Sequence, residues 1–158
     1  MKTKKADAYS IMIQQCAAYV AEVKPECHNP EDVVNVMRPL VDGQEQESFW
    51  VILVNTKNRM KQAPVRVTLG LLDSSMVHPR EVFRIAIQNA ASGIILAHNH
   101  PSGDPTPSAE DCSITKRFVE AGSILGIRVL DHVIIGQQTA NTPGWVSIRE
   151  KGLASFST

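Results

Sequence analysis

Apolar and polar positions recur with two different periods along this chain, and the switches between them mark its elements. Tyr9, Met12, Cys16, Tyr19 and Val23 recur at helical spacing, which predicts a helix over 5–23 that Pro25 breaks. A second, shorter helix is expected over 30–38, with Asn29 as N-cap, Pro30 at the first helical position, Glu31 and Asp32 at the positive end of the dipole, and Pro39 as its stop. From Ser48 the texture changes. Phe49 to Val54 is an unbroken apolar run with β-rich composition, the pattern of a strand buried on both faces. The polar turn 55–59 leads to a second strand expected over 63–70. Pro79 opens a helix to about residue 90, with Val82, Phe83, Ala86, Ile87 and Ala90 inward. Ile94 to Ala97 reads as another buried strand.

His98 to Pro107 then crowds Pro, Gly, Asn and Asp into ten positions, so it must be an irregular loop. A helix is expected from about 109 to 121, with Ile114, Phe118 and Ala121 on one face and Gly122 as its stop. Ile127 to Ile135 reads as a strand, 136–144 as a loop and 145–149 as a short last strand. The order predicts one α/β domain with a mixed sheet flanked by helices and preceded by a helical extension.

Composition narrows the function. A chain of 158 residues is long enough to bury a core without disulfides. Sixteen basic residues balance sixteen acidic ones, which disfavours a protein whose main work is coating DNA. Cys16, Cys27 and Cys112 are odd in number and lack CxxC spacing, so neither a disulfide framework nor a Cys-rich zinc ribbon is expected. Such usage suits a reducing cytosol. The lysines at the N-terminus precede no long apolar run, so no signal peptide is expected, and the apolar runs are too short to span a bilayer.

Candidate chemistry concentrates after the strand 94–97. In extended chain, residues two apart point the same way, so His98 and His100 would aim both imidazoles at one point while Asn99 faces away. Ser108 and Asp111 fit a capping box, which requires no metal. The same geometry also places a carboxylate in the first helical turn, where the loop can fold it towards the histidines. Two histidines and one carboxylate leave a fourth position open, as catalytic zinc requires.

His98-x-His100, seven residues, then Ser108-x-x-Asp111 resembles the JAMM motif of the MPN/JAB metalloproteases. The run from His98 to Asp111, HNHPSGDPTPSAED, is closest to the RadC-like branch. His78 to Phe83 (HPREVF) and Leu130 to Gly136 (LDHVIIG) resemble that branch's flanking segments. The resemblance covers 45–153, which makes 1–44 an N-terminal helical extension and 154–158 a tail. It implies an MPN/JAB-type α/β fold of cytidine-deaminase-like order. It also implies a zinc ion on His98, His100 and Asp111, and hydrolysis of peptide or isopeptide bonds in a peptide or protein substrate. The family places an acidic general base just before its first core strand. Glu47 matches best, Glu45 is close by, and Glu81 is a less natural match. Ser108 would help hold the oxyanion. The alternative is a DNA-associated accessory or scaffolding protein that binds metal without turnover.

Other features carry less. A contiguous His-Asn-His is unlike HNH nucleases, whose ligands are far apart in sequence. The HxE and PCxxC of nucleobase deaminases do not occur. Cys112 reads as packing, because helical neighbours point about 100° apart. Cys27 and His28 read as packing or surface, His132 as structural or supporting, and His78 as a residue near the cleft at most. Trp50 and Trp145 are expected in the core and in the late strand. Longer RadC-like proteins carry an N-terminal helix–hairpin–helix type domain. Residues 1–44 show no GxG hairpin pattern, so DNA binding is expected to be weak.

Overall fold

The computed structural model describes residues 7–70 and 77–156. Among the described residues nine elements follow one another: α1 (Ala8–Val23), α2 (Pro30–Val41), β1 (Ser48–Val54), β2 (Val65–Leu69), α3 (Pro79–Gln88), β3 (Gly93–Asn99), α4 (Ala109–Leu125), β4 (Arg128–Ile135) and β5 (Trp145–Ser147). The five strands form one mixed sheet in the order β2-β1-β3-β4-β5. Among the described residues only β3 and β4 run parallel, and α4 is their crossover. This is the mixed α/β architecture expected, with helices on both faces.

Strand periodicity divides the core. Trp50, Ile52, Val54, Ile95, Ala97, Val133 and Ile135 face one way and pack with Val33, Met37 and Leu40 of α2 and Val20 of α1. Phe49, Val51, Leu53, Ile94, Leu96 and Val129 face the other way and pack with Val82, Phe83 and Ala86 of α3 and with Ile114 and Phe118 of α4. Strands β1 and β3 are buried throughout, which explains their continuous apolar runs.

Several expected boundaries shift, each for a local reason. Residues 5 and 6 of the first expected helix lie outside the described residues, and Asp7 caps its start through a bond from the Ser10 N–H. Its inward stripe runs through Tyr9, Met12, Cys16 and Val20, while Tyr19 and Val23 are about half exposed. After Cys16 the stripe steps by four to Val20, which is buried, and not by three to Tyr19. Helix α2 continues through Pro39 to Val41, because Leu40 and Val41 belong to the core. In α3, Ile87 is exposed and the helix ends at Gln88, with Ala90 at φ 48°, so neither Ile87 nor Ala90 points inward.

Helix α4 does not stop at Gly122; it runs to Leu125 and ends on Gly126 at φ 69°. Gly122 has another use. A Cβ there would lie 2.4 Å from the Ile127 carbonyl oxygen, so its glycine lets α4 lie close against the chain entering β4. Strand β3 extends two residues beyond expectation, through His98 to Asn99.

Candidate metal centre

The carboxyl end of β3 is where the candidate side chains meet. β1 runs antiparallel to β3 with Phe49 opposite His98. Carried two residues further, that register sets Glu47 against His100. On the other side, the loop 100–108 returns the chain to the N-terminus of α4, which begins at Ala109. Asp111 therefore arrives beside two histidines that are distant in sequence but near in space.

The distances are short. The Nε2 atoms of His98 and His100 are 3.0 Å apart. Asp111 Oδ1 lies 3.3 Å from His98 Nε2, and Asp111 Oδ2 lies 3.3 Å from His100 Nε2. Glu47 Oε1 is 3.7 Å from His98 Nε2. One donor atom from each of Glu47, His98 and His100 falls within 4.8 Å of the other two. Asp111 is the closer carboxylate and touches both imidazoles.

These separations fit a metal ion. Donors around a tetrahedral zinc with ligand distances of roughly 2.0–2.1 Å stand about 3.3–3.4 Å apart. The His98, His100 and Asp111 donors lie at 3.0, 3.3 and 3.3 Å. Two imidazoles and a carboxylate are also the ligand types that zinc accepts when a fourth position stays open.

Asp111 serves the helix and the cluster at once. Its Oδ2 accepts the Ser108 N–H at 2.8 Å, and the Ser108 Oγ accepts the Asp111 N–H at 3.0 Å, which completes a capping box. The capping box forms and still leaves both Asp111 carboxylate oxygens 3.3 Å from an imidazole nitrogen. Burial alone would raise the Asp111 carboxyl. The neighbouring His100 and His98 rings and the Ser108 N–H more than offset it and hold the group far below the usual carboxylate range. Glu47 behaves oppositely: burial raises it, and the nearby histidine charges offset this only in part, with Asp111 and Glu110 adding to the rise. Burial would lower His100, but bonds to Asp111 and to the Asp104 carbonyl, with the Asp111 and Glu47 charges, raise it overall.

A family model described as the RadC-like JAB domain matches residues 27–153. The chain belongs to the RadC-like JAB domain family. The match takes in α2, whose apolar face shares the sheet's core. A UPF0758 protein of Caldanaerobacter subterraneus is 52% identical over 128 residues, covering 81% of this chain and 52% of the relative. One from Symbiobacterium thermophilum is 50% identical over 125 residues, covering 79% and 51%. One from Methanosarcina barkeri is 39% identical over 153 residues, covering 96% and 64%. The chain thus spans about half to two thirds of the length of the curated relatives it matches.

The remaining candidates of this RadC-like chain fall outside the cluster or behind it. Glu45 is exposed and lines a cleft of about 520 Å³ next to His100, shared with Gln44, Gln137 and Gln138. Glu81 sits in the first turn of α3, and His78 precedes it as an N-cap without a side-chain bond. His28 pairs with Glu26 on the surface, and Cys27 is buried. Trp50 is buried in β1, and Trp145 is half-buried in β5. Among the described residues, no helix is long and apolar enough to cross a membrane.

Two polar residues matter more than their sequence context suggests. Asn99 faces away from the histidines, as expected, but it is buried and bonded to the chain around Glu47. His132 is fully buried, and its Nε2 lies 2.7 Å from His98 Nδ1. Burial holds His132 well below the ordinary histidine range. The order of residues in 130–135 gave no sign of this contact, since it depends on the parallel pairing of β3 with β4.

Proposed function

We propose that this chain is a zinc-dependent hydrolase of the JAMM type that cleaves peptide or isopeptide bonds. The observation that carries it is the convergence of His98, His100 and Asp111 with donor separations of 3.0–3.3 Å, and a second carboxylate, Glu47, just beyond. His98, His100 and Asp111 would hold the ion. Zinc in such a site activates water near neutral pH and polarises a carbonyl.

Glu47 accepts the proton of the attacking water and passes it to the leaving amine. Its raised proton affinity suits that exchange, because a base works best with a pKa near the working pH. The Ser108 hydroxyl, at the exposed end of α4, donates to the carbonyl oxygen as charge develops there. The cleft beside His100 would take the peptide or protein substrate, its amide side chains being suited to a polar backbone. Three unpaired thiols suit a reducing cytosol.

The test is a peptide-library cleavage screen with zinc-loaded protein and its Glu47→Gln variant. Cleavage by the parent and loss of cleavage in the variant support the proposal. A zinc-loaded protein that cleaves nothing in peptide, isopeptide or ubiquitin-like substrates favours the accessory-protein alternative.

A further inference from the structure

A chain of buried hydrogen bonds links two of the proposed metal ligands behind the cluster. The Thr115 Oγ1 lies 2.6 Å from the Asp111 carbonyl oxygen and 2.6 Å from His132 Nδ1. His132 Nε2 lies 2.7 Å from His98 Nδ1. Asp111 and Thr115 are four residues apart on α4, so they share a face and the hydroxyl reaches back to the carbonyl. Thr115 and His132 are both fully buried, and His98 is 1% exposed.

The donors and acceptors in this chain admit one arrangement that leaves His98 free to bind a metal. The Asp111 carbonyl can only accept, so the single Thr115 hydroxyl proton goes to it. The Thr115 oxygen then accepts, and His132 Nδ1–H must donate. A neutral His132 therefore presents its bare Nε2 to His98, and His98 donates Nδ1–H to it. The His98 proton is thereby fixed on Nδ1, and the lone pair of Nε2 is turned towards His100 and Asp111. In the opposite tautomer, His98 Nε2–H would point at Asp111 Oδ1, 3.3 Å away, and no lone pair would face the site.

Phe49 holds the two rings in place. It stacks on His98 with a centroid distance of 5.9 Å and meets His132 edge-on at 5.5 Å. Both rings are buried away from bulk solvent. Metal-bound histidines ordinarily donate their second N–H to a carboxylate, a backbone carbonyl or water. Here a neutral imidazole takes that place.

We propose that His132, held by Thr115, is a positioning residue that sets the tautomer of His98 and so makes its Nε2 a metal ligand. This rests on the metal-centre assignment but not on any peptidase activity. It predicts that His132→Leu folds, with helix content and cooperative unfolding retained, yet binds zinc about 10- to 100-fold more weakly. His132→Gln offers a side-chain oxygen to His98 and should recover most of that loss. Thr115→Val frees the His132 tautomer and should weaken zinc binding by a smaller factor.

Zinc titration of the four proteins is paired with imidazole nitrogen NMR of the parent. The NMR should show both His98 and His132 protonated on Nδ1, with His132 Nε2 bare. A leucine variant that binds zinc as tightly as the parent overturns the proposal. So does a His132 protonated on Nε2, an outcome readable even if the leucine variant does not fold. A parent that binds no zinc removes the metal centre and this inference together. Zinc binding without peptide cleavage leaves the inference standing and counts only against the hydrolase.

Discussion

The Asn99 side chain grips the backbone on both sides of Glu47. Its Oδ1 accepts from the Ser48 N–H and from the Ser48 hydroxyl, both at 2.8 Å, and its Nδ2 donates to the Gln46 carbonyl at 3.0 Å. Trp50 Nε1 donates in turn to Ser48 Oγ. The residue between the two histidines thus fixes the carboxylate proposed as base. Asn99→Ala strands several polar groups in a buried site, an effect of about 1–3 kcal/mol on stability. Turnover should fall further than zinc affinity, since Asn99 holds Glu47 and not the ion. Zinc titration and kinetics on one preparation check this; loss of zinc with turnover per bound zinc unchanged would contradict it.

Glu47→Gln keeps size and hydrogen bonding but cannot take a proton. Zinc content and Tm should stay near the parent's, while the rate on a cleaved substrate falls by about 10²–10⁴. Glu45→Gln and Glu81→Gln should cost far less, because neither joins the donor cluster. A neutral Glu47→Gln beside an inactive Glu81→Gln would reassign the base.

Ser108 is given two tasks, separable by measurement. Ser108→Ala removes the N-cap of α4, which typically costs about 1 kcal/mol, visible as a lower Tm. If the hydroxyl also steadies the developing oxyanion, kcat should drop by about 10²–10³ with zinc retained. A lower Tm with unchanged kcat would leave Ser108 a cap alone.

Burial, with the Asp32 charge nearby, pushes the Cys27 thiol up to about 12 from 9.0. Reaction with alkylating reagents needs the thiolate, so Cys27 should label last of the three cysteines in native protein at pH 8, and readily after unfolding. The folded state keeps the Cys27 proton longer than the unfolded chain does. Its contribution to stability is therefore whole below 9.0 and fades as pH rises from there towards about 12. Mass-mapped alkylation and alkaline unfolding check both; early native labelling of Cys27 would contradict them.

Much of this was legible because one signal dominated each stretch. The runs in β1 and β3 are apolar on both faces, and the centre of the sheet is the only place for such strands. The HxH pair and Asp111 were legible because a strand end and a helix cap fix their directions. Gly122 misled because glycine serves close packing as readily as helix ends, and Pro39 because core burial of Leu40 and Val41 outweighs one lost hydrogen bond. The bonds from His98 to His132 and Thr115, and from Asn99 to Ser48, depend on which strands become neighbours. No local pattern in the sequence encodes that pairing.

The most direct measurement is the zinc content of the purified, zinc-loaded protein beside His98→Ala, His100→Ala and Asp111→Ala. The account predicts about one zinc per chain in the parent and none in the three variants. Bound zinc should also stabilise the parent, by about 2.7 kcal/mol at a free concentration ~100-fold above Kd. A parent without zinc, or three variants that hold it as well as the parent, would contradict the account.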